Sequence, residues 1–439
     1  MTIRIVMKRM ALVLNMFMIG GPSSHADANW AERHKQHLVG SWAEKNGRLQ
    51  EPVWPWKGAP NRKTEPSSSS KSHTTDEIES QMKHQSLGLV PSSSDFSEIR
   101  HSKAFADKTA FLYEWLTHRP KQWYVTAPPG FGKSTLGTMA VQFLNASVEI
   151  VNGVEMFHDK QKTAAYELFQ GTEIFEMKEF VDKHFQNYAV VYLDLAPLSN
   201  TTEAIFKIDE DFLSQDFHKY LKMAIRKMMS YYPTLHLHHN LTAVERATLE
   251  WYLGEMETEV TPVKFWKSAS TLARLLRKCF KKDVIVVVDS YDALCKPNIL
   301  GDITKIIGPY VASYIINFSK MIIQDGQSRV LYLGTFKTIE LMLQKPSDLR
   351  LQKKTMYTIE HTDFYSDERI AKYFGLSRRE VTDILARYSM LDHFSVVDDL
   401  LDGHAVLRSP LTLFNTKAVL SYIENKNATP SAVTFAVYR

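Results

Sequence analysis

The feature that most constrains this chain is a junction. Gln122-Trp123-Tyr124-Val125-Thr126 is a short, largely apolar run that passes directly into Ala127-Pro128-Pro129-Gly130-Phe131-Gly132-Lys133-Ser134-Thr135, and apolar residues then recur at helical spacing to about Leu144. Strand, glycine-bearing loop and helix, in that order, bring backbone amides together at a helix N-terminus, where an anion is held by those amides and by the helix dipole. Gly132, Lys133 and Ser134 supply in sequence a permissive backbone, an ammonium for phosphate oxygens and a hydroxyl suited to magnesium. The common phosphate-loop pattern has glycine five residues before Gly132. Here Ala127 stands there, Pro128-Pro129 stiffen the approach, and Gly130 adds one permissive position. A strand-to-helix turn carrying an exposed lysine is the plainer alternative.

A second acidic element strengthens the nucleotide reading. Val284-Ile285-Val286-Val287-Val288 is a continuous apolar run ending in Asp289, the placement that lets a carboxylate hold magnesium through water. Ser134 and Asp289 are therefore the candidate metal residues, and ATP with Mg2+ the expected cofactors. A glutamate commonly follows that aspartate and polarises the attacking water. Ser290 occupies the position and cannot act as a base. Asp292 either substitutes for the missing base, orients the metal shell or caps a following helix. Asp194 closes another apolar run, Ala189 to Leu193, and so belongs at the strand ends where open α/β sheets bind ligands. Lys337, shortly after Gly334, is either a cation sensing the γ-phosphate or a solvated lysine. Asp289, Asp292 and Lys337 form the candidate catalytic set. His236, His238 and His239 have no carboxylate or cysteine at ligand spacing and read as a surface loop rather than a zinc site.

The strands at 122–126, 189–193, 284–288 and 330–333 are almost uninterrupted apolar runs separated by long helical stretches. That pattern predicts an α/β fold: a parallel sheet flanked by helices on both faces, with the phosphate loop after its first strand. The segment 208–278 is helical in pattern and reads as an inserted helical subdomain. A strand at Thr355–Ile359 and helices near Ser366–Phe374 and Arg378–Ser389 suggest a small C-terminal helical lobe. The expected organisation is a signal peptide over 1–28, a disordered Ser/Pro-rich arm over 29–95, a P-loop core over 96–350 and the lobe over 351–439. Within the arm, Trp54 and Trp56 alternate with prolines in a stretch that reads either as a polyproline-type docking motif, as a segment packing on the folded domain, or as one with no fixed role.

Of the 439 residues, 44% are apolar and 23% charged, which suits a globular protein. The net charge of +4 is too dispersed to argue for nucleic acid. Arg4, Lys8 and Arg9, the apolar run Met10–Met18 and the small residues up to Ala28 read as a signal peptide, cut after Ala26 or Ala28. That implies a secreted or secretory-lumen protein with no other membrane span. Glycosylation acceptors at Asn145, Asn200, Asn240, Asn317 and Asn427 accord with that route, with Asn240 the most accessible. Cys279 and Cys295 flank a strand of about six residues, too long a span for the two to form a disulfide with each other.

Six segments together resemble the AAA-ATPase-like family of P-loop proteins found in bacteria and arthropods. They are PSSSDFSEIRHSKAFADKTAFL, VTAPPGFGKST, FVDKHFQNYAVVYLDL, VIVVVDSYDAL, RIAKYFGLSRREV and LFNTKAVLSYI, running from about Pro91 towards the C-terminus. The chain looks like a secreted, arthropod-type member. The family's DEYD signature reads Asp289-Ser290-Tyr291-Asp292 here. The resemblance implies ATP binding at Gly130, Phe131, Gly132, Lys133, Ser134 and Thr135, with Asp289 near the metal. Bacterial relatives often carry a C-terminal nuclease-like domain, for which the residues after the last core strand leave no room, so no nuclease activity is expected. The expected function is ATP binding with hydrolysis weakened by Ser290. A P-loop scaffold that binds a protein partner and no nucleotide is one alternative, and an active intracellular ATPase is another.

Overall fold

The computed structural model describes residues 93–201, 215–254, 262–293, 329–335, 360–364, 366–401, 403–406 and 409–427. The expected signal peptide, the Trp-Pro motif, Lys337, Cys295 and the expected strand at 355–359 lie outside the described residues.

The centre is a five-stranded, wholly parallel sheet built from β1 (Gln122–Thr126), β4 (Ala189–Asp194), β5 (Val284–Asp289), β6 (Arg329–Gly334) and β7 (Glu360–Asp363), in the order β4-β5-β6-β1-β7. Successive strand residues face opposite sides, so a strand buried throughout must be covered on both faces. β1 and β5 are buried at every position. On one side Val190, Tyr192, Ile285, Val287, Leu331, Leu333, Trp123 and Val125 join a core with Leu136, Met139, Ala140 and Phe143 of helix α1 (Lys133–Leu144). Their alternates, among them Val191, Val286, Val288 and Tyr332, are buried as well. The fold is therefore α/β, a parallel sheet flanked by helices, as the apolar runs predict.

The helical insertion forms the crossover between β4 and β5. Helices α2 (Gln215–Met229) and α4 (Pro262–Phe280) pack against β4, and α4 also reaches β5. Helix α3 (Ala243–Leu253) opens with a capping box in which the Thr242 hydroxyl accepts from the Glu245 amide. The Glu245 carboxylate also accepts from Arg274 and Lys278 of α4, each at 2.6 Å, tying two helices together.

Two local differences from expectation have clear causes. The helical spacing over Ser102–Leu116 gives helix only from Phe111, because Asp107 Oδ1 accepts from the Thr109 amide and hydroxyl and holds the preceding chain in a turn. A hairpin of β2 (Val148–Val151) and β3 (Val154–Phe157) closes through Asn152 and Gly153, both at positive φ, a two-residue turn matched to strand twist.

Beyond β7, helices α5 (Arg378–Arg387), α6 (Phe394–Leu401) and α7 (Thr416–Asn427) share a core with β8 (Leu376–Ser377) and β10 (Thr412–Phe414), and β9 (His404–Ala405) pairs with β10. The lobe thus combines its helices with a small antiparallel sheet, and its region begins by adding β7 to the edge of the core sheet beside β1.

Candidate functional site

The parallel register aligns the carboxyl ends of the strands. Asp194 pairs with Asp289 across β4 and β5, Asp289 with Leu333, and Thr126 with both Gly334 and Asp363. The phosphate loop rises from this edge. Gly130 and Gly132 take φ of +82° and +83°, left-handed values open to glycine, and Gly132 starts α1. Ala127 is buried and lies outside the positive-φ set, so the alanine in place of the usual glycine carries no backbone strain.

Lys133 curls over its own loop. Its ammonium donates to the carbonyls of Ala127 at 2.6 Å and Pro128 at 2.8 Å. Burial pulls its pKa down to about 8, opposed by the negative fields of Asp292 and Asp289. Asp289 is fully buried, which raises its proton affinity. The Asp194 charge adds to that rise, while hydrogen bonds from the Ser134 hydroxyl and Tyr192 favour the carboxylate. Tyr192 reaches Asp289 Oδ2 at 3.2 Å and its own ionisation is strongly suppressed by burial, so it remains a donor.

Ser290 sits at φ +55° with its hydroxyl 3.4 Å from Asp289 Oδ1. Asp292 is buried and its Oδ2 accepts from the Thr335 amide at 2.7 Å, joining the ends of β5 and β6. The Tyr291 ring lies where a Cβ on Gly334 would stand, which leaves room for glycine alone. Asp194 accepts from Lys227 of α2 at 2.9 Å and from the Ala196 amide at 3.0 Å.

The structure brings together Lys133, Ser134, Asp289 and Asp292 at one sheet edge, with Gly130, Phe131, Gly132 and Thr135 in the adjoining loop and first turn. The histidines have a different task. His238 is buried against Glu155 of β3 at 2.8 Å and His239 bonds the Gly153 carbonyl, so the loop fastens the β2-β3 hairpin. Among the described residues no group of His, Cys, Asp and Glu is arranged to hold a metal by itself.

Sequence reasoning missed Tyr192, Lys227 and the lobe residues around the loop. Tyr192 was legible only as a strand residue two positions before Asp194. Asn415 carries a helix N-cap signal, but nothing in the sequence brings it to Pro129, 286 positions away.

A phosphate-type loop after a central parallel strand, with a buried aspartate two strands away at the same edge, defines a P-loop NTPase-like protein. Residues 92–306 match the AAA-ATPase-like family, described as Predicted AAA-ATPase, and this match supports that family for the chain. The matched span contains the phosphate loop and Asp289 and ends before β6, β7 and the lobe. No curated protein matches the chain. No helix among the described residues is long and apolar enough to cross a membrane.

Proposed function

We propose that this protein binds Mg-ATP at the loop of Gly130, Phe131, Gly132, Lys133, Ser134 and Thr135, and that it hydrolyses the nucleotide slowly or not at all. The observation that carries this reading is the Lys133 ammonium, buried on the carbonyls of Ala127 and Pro128 within the negative fields of Asp292 and Asp289. A triphosphate offers that ammonium better acceptors than two carbonyls, and the first-turn amides of α1 are free of intrahelical partners. Ser134 and Asp289 would hold the magnesium, which supplies charge neutralisation for the phosphates. Their mutual hydrogen bond already places hydroxyl and carboxylate side by side.

Ser290 supports weak turnover, since a hydroxyl has no proton affinity near neutral pH and its neighbour Asp289 is committed to Ser134 and Tyr192. Asp292 exerts the stronger of the two carboxylate fields on Lys133, and its bond to Thr335 suits it to orienting the site. The role of Lys337 as a γ-phosphate cation stays part of this proposal. The basic and apolar N-terminus supports a secreted or lumenal location.

The test is thermal stability with and without millimolar Mg-ATP. A ligand at about 100 times its dissociation constant adds about 2.7 kcal/mol to the native state. The melting temperature should rise with Mg-ATP, and Lys133→Ala should abolish the rise. An unchanged melting temperature in the wild type overturns nucleotide binding and favours a scaffold that engages a protein partner.

A further inference from the structure

The phosphate loop is bonded on its outer side by the C-terminal lobe. All six carbonyls from Ala127 to Gly132 have a donor. Lys133 takes the first two, and the Leu136 amide takes Gly132 at 3.0 Å, as expected for the first turn of α1. The three between them belong to the lobe. Asn415 Nδ2 donates to the Pro129 carbonyl at 2.9 Å, the Lys417 amide to Gly130 at 3.0 Å and the Gly375 amide to Phe131 at 3.1 Å.

A trans peptide points each carbonyl and the following amide in opposite directions. Fixing the carbonyls of Pro129, Gly130 and Phe131 towards the lobe therefore turns the amides of Gly130, Phe131 and Gly132 away from it. Those are the amides a phosphate needs. Asn415 is the side chain in this clamp. Its Oδ1 accepts from the Ala418 amide at 3.1 Å, capping α7, so the side chain is oriented by one bond and spends the other on the loop. The fit is close: a Cβ on Gly130 would stand 2.5 Å from Asn415 Oδ1, and one on Gly375 would meet Phe131 and the Phe414 carbonyl, each at 2.7 Å. The Phe131 ring is buried against Phe364 and His404, which anchors the middle of the loop to the same lobe.

We infer that Asn415 is a positioning residue for nucleotide binding, holding the phosphate loop with its amides facing the ligand from a lobe outside the core sheet. The inference rests on the Mg-ATP reading above. It also makes coupling reciprocal: if the lobe orders the loop for phosphate, phosphate must order the lobe against the loop by the same factor.

The test uses the full chain carrying Asn415→Ser. Serine keeps an oxygen for the Ala418 amide and is too short to reach Pro129. The apo melting temperature should stay close to wild type, while the dissociation constant for Mg-ATP should rise about tenfold, the scale of one lost hydrogen bond. Hydrogen exchange at the Lys417 and Gly375 amides should slow on adding Mg-ATP to wild type and not in the variant. Asn415→Asp, which retains the cap oxygen and loses the donor, should behave alike and serves if the serine variant folds poorly. Equal Mg-ATP affinity in wild type and variants overturns the role of Asn415 and leaves the nucleotide site standing. Weakened binding that merely tracks a lowered apo melting temperature also overturns it, in favour of a structural cap. A wild type that binds no Mg-ATP overturns both.

Discussion

At the scale of single residues, the proposed weak turnover rests on the pair Asp289-Ser290. Asp289 is buried and donated to by Ser134 and Tyr192, so it is engaged in holding and shaping the site. Ser290 already occupies a left-handed backbone position, which a glutamate tolerates about as well as a serine. Replacing Ser290 with glutamate should raise ATP turnover by at least about tenfold, since a placed general base contributes roughly 10²–10⁴, and should leave Mg-ATP affinity unchanged. Phosphate release under saturating ATP measures this, and an unchanged rate would show that the site lacks more than a base. Gly132, Lys133, Ser134 and Asp289 were legible in the sequence because a phosphate loop and its acidic strand each have a local signature. Tyr192 was not, because a tyrosine inside a buried strand has the same pattern whether it packs or donates a hydrogen bond.

At the scale of elements, Glu245 fastens the helical insertion. Hydrogen bonds from Lys278 and Arg274, together with the α3 cap, hold its pKa down to about 2, against roughly 4.3 in an unfolded chain. The folded state favours the carboxylate, so the stabilisation is fully present above the unfolded value and is lost as pH falls from about 4.3 through about 2. Glu245→Gln should therefore lower the melting temperature at pH 7, with the gap to wild type closing progressively below about pH 4. Melting curves across that range test it, and a gap independent of pH would assign the effect to packing. The strands of the core sheet were legible because they are buried on both faces and show as continuous apolar runs. The β2-β3 hairpin carries an Asn-Gly turn signal, but its strands Val148–Val151 and Val154–Phe157 are only four residues each and expose Val154, Met156 and Phe157, so they lack the long continuous apolar run that marks the core strands. The chain before Phe111 has helical spacing, but the side chain of Asp107 wins the local amides.

At the scale of the whole molecule, the fold distinguishes between the glycosylation acceptors that a secretory route would expose. Asn240 is exposed beside the histidine loop. Asn145 is committed: its Oδ1 accepts from the Val190 amide at 3.0 Å and from the Tyr232 hydroxyl at 2.6 Å, at the point where α1 meets β4. Protein made through a secretory pathway should carry glycan at Asn240 and none at Asn145, as read by glycopeptide mass spectrometry. A bare Asn240 in secreted protein would count against the route, and a modified Asn145 against this packing.

The sequence alone determined the kind of fold, the four long apolar strands of its core sheet and the place of the glycine-bearing loop after the first of them, because periodicity, glycine placement and a strand-terminal aspartate are all properties of neighbouring positions. Only the tertiary structure decided which distant residues complete the site. Strand order puts β6 between the loop strand and the acidic strand and β7 on the other side. The same packing lays Asn415, Lys417 and Gly375 along the outer carbonyls of the loop. The physical reason is that a backbone carbonyl accepts from any donor that packing delivers, and nothing in the local sequence of either partner specifies the other.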